Sequence, residues 1–191
     1  VSKNIEYKNH DHLIVKFTTL NLIYNDVRRF GFVKVYFNNE LKKSLHLLKL
    51  GKEPFSKRFD VSYIYNLVSN KEQVIKNFLM DQRNIAGLGN IYCSEILFDA
   101  GISPFKITNA LKLLECKKLV NSTRKVLKRA IKMGGTSIKN FKDPTGSLGY
   151  FKNKLKVYDR EDKNCYNCGE KSKIKKITQS GRSTFFCGAC Q

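Results

Sequence analysis

Acidic residues are scarce in this sequence: 16 Asp and Glu stand against 36 Lys and Arg in 191 residues, a formal net charge of +20. Such an imbalance sets up a surface potential that draws in phosphate backbones, with affinity falling steeply as salt rises, so a polyanion is the natural partner. The excess is spread along the chain, with clusters at Arg124–Lys132, Lys152–Lys156 and Lys171–Lys176. Charge alone leaves a merely soluble basic protein open. Long apolar runs are also missing. No stretch approaches the roughly 20 apolar residues of a spanning helix, so a membrane is not an expected partner. Between Val1 and Phe17 no continuous apolar core precedes a small-residue cleavage site, so no secretory leader is read and a cytoplasmic setting is expected, with the nucleoid if the source is bacterial. Internal repeats and low-complexity tracts are absent too. What is present, 41% hydrophobic residues with 13 Phe and 9 Tyr, marks a globular chain long enough for one ordinary domain or two small ones.

Four of the six cysteines form two CxxC pairs, Cys165-Tyr166-Asn167-Cys168 and Cys187-Gly188-Ala189-Cys190, separated by the eighteen residues 169–186. That spacing lets two thiolate knuckles close on one structural Zn²⁺, and four thiolates leave no open position for catalysis. Two disulfides would need an oxidising compartment, and redox CxxC chemistry is the third reading. A ribbon this small cannot bury its own core, so a metal would supply most of its folding free energy. Cys93 and Cys116 fall within helical patterns and read as packing residues.

Leu13–Phe17, Leu20–Tyr24 and Phe32–Phe37 read as strands, being short β-branched and aromatic runs between turn residues. A boundary is expected at Gly51-Lys52-Glu53-Pro54, after which the period becomes helical. Asn70 with Gln73 resembles a capping box ahead of Val74, Ile75, Phe78 and Leu79. A second helix is predicted over 90–100, ending at Gly101 with Pro104 beyond. A third, over 111–133, carries Leu111, Leu114, Leu119, Thr123, Val126, Ala130 and Ile131 on one face and Lys117, Lys118, Arg124, Lys125, Lys128 and Lys132 on the other, the latter a solvated face when taken alone. Leu155–Tyr158 is predicted as a strand entering the ribbon. Gly87 and Gly89 stand just before the second helix, where glycines let a backbone approach a ligand and free N–H groups favour phosphate. A tight interhelical turn accounts for them equally well, and the missing third glycine excludes a dinucleotide fingerprint.

Order decides between these readings. Asp81–Glu95, Ala100–Pro104, Gly134-Gly135-Thr136-Ser137, Gly149-Tyr150-Phe151, Val157-Tyr158, the CxxC pairs and Arg182–Cys187 follow one another as in the formamidopyrimidine-DNA glycosylases, which the chain resembles over essentially its whole length. His10-Asp11-His12 and Asp26-Val27-Arg28-Arg29-Phe30-Gly31 resemble that family's KHDH and DPRRFG segments, with Val27 in place of proline. The resemblance implies an α+β fold: an N-terminal β-sandwich, of which 1–52 would be a remnant, a helix-two-turn-helix bundle over 53–146, and a β-hairpin zinc finger over 147–191. It implies a monomeric bifunctional DNA glycosylase and AP lyase of base excision repair, which removes 8-oxoguanine and formamidopyrimidines from damaged double-stranded DNA and cuts by β,δ-elimination. Arg28 and Phe30 match the family's wedge: a planar cation faces the orphaned base while an aromatic ring fills the stack vacated by base flipping. His10, Lys71, Asn90 and Arg182 match its phosphate contacts, which position the duplex without reading sequence. Arg182 also matches its proton donor in δ-elimination. The loop 136–151 resembles a lid over the flipped purine, its glycines suiting motion. Cys165, Cys168, Cys187 and Cys190 match the zinc ligands.

The family's N-terminal Pro-Glu nucleophile and its β-elimination lysine have no match here, and the sequence begins Val1-Ser2-Lys3. A secondary amine is what forms the Schiff base at C1′, so the expectation is a fragment of a longer sequence, binding DNA without cutting it. Two alternatives stand beside this reading: an endonuclease VIII-type enzyme for oxidised pyrimidines, against which the 134–151 segment argues, and a non-enzymatic zinc-ribbon DNA-binding protein.

Overall fold

A computed structural model describes residues 8–136 and 150–191. β1 (Asp11–Lys16) and β2 (Asn21–Asn25) pair antiparallel, with Ile14 opposite Ile23 and Val15 opposite Leu22. Phe32–Phe37, expected as a third strand, is irregular. Its alternating pattern suits a strand, but among the described residues it has no partner strand, and Val35 and Phe37 are 90% and 78% exposed. A strand without a neighbour leaves its ladder groups unmet, so propensity alone does not hold it. A single helical turn, α1 (Leu45–Leu48), follows.

After residues 51–54 come α2 (Val61–Ser69), α3 (Ile75–Met80), α4 (Asn90–Ala100) and α5 (Leu113–Lys132). α2, not anticipated, starts where the Asp60 carboxylate accepts the Tyr63 amide at 2.8 Å and buries Ile64 and Val68, one turn apart. The Asn70–Gln73 capping box does not form: Asn70 closes α2 instead, its side chain donating to the Asn66 carbonyl. α3 begins uncapped, because the Ile75 amide is taken by the Lys106 carbonyl at 2.8 Å. α4 ends at Gly101, whose φ of +64° is the left-handed stop that glycine adopts without strain. In α5, Cys116, Leu119, Val120, Thr123, Val126 and Ala130 are buried, whereas Leu114 and Ile131, assigned to that face from the sequence, are exposed at its two ends. Cys93 and Cys116 are fully buried in the packed core, as their helical positions suggested.

α4 is buried nearly all round and touches α3, α5 and the C-terminal sheet. That sheet is the antiparallel set β3 (Asn164–Cys165), β4 (Gly169–Gln179) and β5 (Arg182–Cys187). The expected strand at Leu155–Tyr158 is irregular, for a specific reason. The Glu95 carboxylate, on α4 and 3% exposed, accepts the amides of Lys156, Val157 and Tyr158 at 2.8–3.0 Å, which removes the donors a ladder would use. Burial pushes the Glu95 carboxyl above its ordinary range while those amides pull against it. Glu95 thereby moors the chain entering the sheet to the bundle. Residues 137–149 of the loop 136–151 expected as a lid, with its glycines Gly146 and Gly149, lie outside the described residues.

Glu95→Ala strips an acceptor from three amides in or near the core, at about 1–3 kcal/mol for each one left buried and unpaired. Denaturant titration should show at least about 3 kcal/mol of lost stability; a loss under about 1 kcal/mol would contradict the mooring role.

Candidate nucleic-acid interface and metal centre

Cys165 and Cys168 at the β3–β4 turn face Cys187 and Cys190 at the end of β5, with all four sulfurs within 4.8 Å of one another. Sγ–Sγ separations of 3.8 Å (Cys165–Cys190) and 3.9 Å (Cys168–Cys187) leave every one a free thiol, contrary to the disulfide reading. Tetrahedral zinc with bonds of about 2.3 Å puts its sulfurs about 3.8 Å apart, so the cluster fits such an ion. Burial pushes the Cys187 thiol up, but the Ser172 hydroxyl at 3.3 Å and the amides of Ala189 and Cys190 prevail and hold it at about 6.

β4 and β5 run from this cluster to a tight turn, Ser180-Gly181, whose φ values of +49° and +73° are those of a hairpin turn matched to strand twist. The turn sets Arg182 on the surface, and three side chains of the bundle hold it there. Lys76 of α3, 1% exposed, donates to the Ser183 carbonyl (3.1 Å) and the Thr184 hydroxyl (2.6 Å). Asn90, the first residue of α4, donates to the same Ser183 carbonyl at 2.9 Å. Asn77 donates to the Ser180 hydroxyl at 2.9 Å. Asn77, Met80, Asp81, Gln179, Ser180 and Arg182 line an open cleft of about 220 Å³. Ahead of α4, Gly87 (φ +86°) and Gly89 have no atom within 4 Å of where a Cβ would stand, no side chain caps α4, and the buried Asn90 Oδ1 has no partner. A bare helix N-terminus beside an exposed arginine is a place for an anion. Lys71 stands close enough to bear on the Asp81 carboxylate, its ammonium donating to Asn84.

The loop after β2 is built around one carboxylate. Asp26 accepts the amides of Gly31 (2.7 Å), Arg29 (3.0 Å) and Arg28 (3.1 Å) and the Tyr24 hydroxyl (3.1 Å). The Gly31 amide, chief among these donors, holds its carboxyl below the usual range. A Cβ at Gly31 would stand 2.0 Å from the Tyr24 hydroxyl, so a larger residue there would displace the Tyr24 side chain from this turn. Its tip presents Phe30, 81% exposed, with the Arg28 guanidinium 5.4 Å from the ring centroid. His10 adopts φ +73° with Nδ1 buried and unpartnered. Among the described residues, no hydrogen bond, ion pair or ring contact joins His10, Arg28 or Phe30 to the group formed by Asn90, Lys76 and the 180–184 turn.

Lys76, Asn77 and Glu95 were not singled out from the sequence, since their partners lie 61 to 108 positions away. The one signal for Lys76 was a lysine inside the apolar Val74–Leu79 run. Arg124 is not on a solvated face either: its guanidinium binds the carbonyls of Pro54, Ser56 and Phe59.

Residues 50–142 match the family model described as the formamidopyrimidine-DNA glycosylase H2TH domain. The formamidopyrimidine-DNA glycosylase of Rhodopseudomonas palustris (strain TIE-1) is 40% identical over 97% of this chain and 66% of its own length. That of Wolbachia pipientis subsp. Culex pipiens (strain wPip) is 42% identical over 100% of the chain and 69% of its own. The chain thus spans about two thirds of the length of the curated relatives it matches. The solved complex between Lactococcus lactis Fpg and a Fapy-dG containing DNA superposes with a TM-score of 0.88 at 37% identity, over 100% of this chain and 69% of that one.

Burial lowers the Lys76 ammonium to about 8, with Arg182 adding repulsion and Cys93 opposing. Below pH 8 the folded and unfolded chains both carry this charge, and the burial penalty is felt in full. Between pH 8 and 10.5 the folded chain loses the proton first, so the wild type gains stability relative to Lys76→Met, by up to about 3 kcal/mol. A difference that stays flat between pH 7 and pH 10 would show that Lys76 is not desolvated as described.

Proposed function

The chain belongs to the formamidopyrimidine-DNA glycosylase family, and on that footing we propose that it serves base excision repair as a bifunctional DNA glycosylase and AP lyase acting on oxidised purines, 8-oxoguanine and formamidopyrimidines, with β,δ-elimination of the strand. The observation that carries this reading is the Arg182 turn, moored by Lys76, Asn90 and Asn77 above the uncapped start of α4. An anion site of that kind holds the phosphates beside a lesion, and Arg182, with Lys71, Asn90 and His10, supplies the donors. Arg28 and Phe30 form the wedge. A base must leave the stack before it can be excised, and an exposed aromatic ring with a guanidinium over it is suited to fill the gap. The Fapy-dG in the Lactococcus lactis complex favours the purine class over the pyrimidine one.

One Zn²⁺ held by Cys165, Cys168, Cys187 and Cys190 supplies rigidity only, since four thiolates leave no site for water or substrate. Arg182 then donates the proton in δ-elimination. The Schiff-base amine, its glutamate and the β-elimination lysine are matched by none of the 191 residues, so this chain by itself binds damaged duplex and does not cut it. Residues 1–52, 53–146 and 147–191 act as wedge-bearing β unit, DNA-binding bundle and zinc finger of a cytoplasmic monomer. No helix among the described residues is long and apolar enough to cross a membrane.

Incubation with 8-oxoguanine duplex and borohydride should leave no trapped adduct, and an adduct would place the nucleophile within these residues. In equilibrium binding, Phe30→Ala should lose lesion-over-undamaged preference by about tenfold or more, as expected if the ring offsets about a kcal/mol or more of unstacking. Equal loss on both duplexes would contradict the wedge.

A further inference from the structure

The wedge and the phosphate contacts sit on different units, joined by the segment that starts at Gly51. That segment is not a loose hinge. The Gly51 amide donates to the Gln82 carbonyl at 2.8 Å, the Ala86 amide donates to the Lys52 carbonyl at 3.2 Å, and Lys52 and Ile85 form a parallel bridge. The backbones are so close that a Cβ at Gly51 would stand 2.2 Å from the Asn84 carbonyl oxygen. Further on, Arg124 takes the carbonyls of Pro54, Ser56 and Phe59. Two residues join this strap to the DNA-facing side. The Tyr63 hydroxyl accepts the Lys52 amide (3.2 Å) and donates to the Asn84 carbonyl (2.7 Å). The Asn84 side chain, 1% exposed, accepts the Lys71 ammonium and donates to the Phe78 carbonyl at 2.9 Å. An unbroken set of hydrogen bonds therefore runs from Lys71 through Asn84 and Tyr63 to Lys52.

We infer that Asn84 and Tyr63 are positioning residues that couple the grip of Lys71 on a DNA phosphate to the setting of the linker, and through it to the placement of the Arg28–Phe30 wedge. This deepens the proposed function and rests on it. An ammonium has three donors, and one is given to Asn84, so the others can meet phosphate oxygens without releasing it. A phosphate that immobilises Lys71 immobilises Asn84, whose carbonyl holds the Tyr63 hydroxyl against the linker. Coupling of this sort is reciprocal: whatever factor DNA adds to the strap's stability, the strap adds to DNA affinity.

The test is amide hydrogen exchange of residues 51–52 in the metal-loaded chain, with and without 8-oxoguanine duplex, beside titrations at several salt concentrations. The wild type should show linker exchange slowed by about tenfold in the complex, a coupling of about 1.4 kcal/mol. Tyr63→Phe keeps the ring and loses the hydroxyl. It should lose that slowing and bind the duplex about tenfold more weakly, with α4 exchange and the slope of log affinity against log salt unchanged; loss of a phosphate contact would instead flatten the slope by about 0.9. Gly51→Ala pushes the strap off the Asn84–Ile85 backbone while leaving the Tyr63 side chain intact, and should give the same pair of losses even if Tyr63→Phe folds poorly. Wild-type binding without linker protection, or protection and affinity retained in both variants, overturns the coupling and leaves the DNA-binding reading standing. A wild-type chain that does not bind the duplex overturns both.

Discussion

The β4–β5 hairpin is anchored to the bundle at its tip and carries four metal-spaced thiols at its base, and the rest of the candidate site depends on that pair of constraints. At one end four sulfurs converge to the spacing of a tetrahedral ion. At the other, Lys76 and Asn90 converge on the Ser183 carbonyl. Between them the hairpin lays Phe186 against Phe105, with ring centroids 4.9 Å apart, and Phe185 against Tyr158 at 4.8 Å. A two-stranded hairpin alone is marginal in water. With a metal in the cluster it would be fixed at both ends, a rigid arm that gives Arg182 at its tip a defined place beside the start of α4.

The strongest polar investments in the molecule serve joints between units. Glu95 gathers three amides to moor the chain entering the C-terminal sheet, and Arg124 gathers three carbonyls to strap the linker. Each is a charge facing a fan of complementary dipoles, the arrangement in which burial of an ionisable group is tolerated. Lys76, with two acceptors in a nearly closed site, is less well compensated, which is why its ammonium is destabilised. The large positive charge on the surface is thus distinct from the few cations that hold the fold together.

What was legible in the sequence was local. Ligand spacing named Cys165, Cys168, Cys187 and Cys190, and Gly101 marked the end of α4, because a CxxC knuckle and a left-handed stop are set by a few adjacent residues. The order of motifs then supplied Arg28, Phe30, Asn90 and Arg182 as candidates. Two of the misreadings share one cause: a distant group took the hydrogen bonds that a local pattern seemed to reserve. Leu155–Tyr158 looked like a strand until Glu95, some sixty residues earlier, claimed its amides. Asn70 looked like a cap for α3, but Lys106 supplied the carbonyl for Ile75. Phe32–Phe37 has strand-forming residues and lacks a described neighbour to pair with. The Lys71–Asn84–Tyr63–Lys52 chain was invisible for the same reason, since none of its residue types is unusual in sequence.

If the hairpin is an arm made rigid by its metal, removing that metal should cost the tip its position while sparing the bundle, whose core of Phe59, Ile64, Phe78, Ile96 and Leu119 needs no cluster. The direct measurement is lesion-duplex affinity together with amide exchange before and after a thiol-competing chelator strips the ion. The account predicts that protection in β4 and β5 collapses, protection in α4 and α5 persists, and preference for damaged duplex vanishes; unchanged preference in the metal-free chain would contradict it.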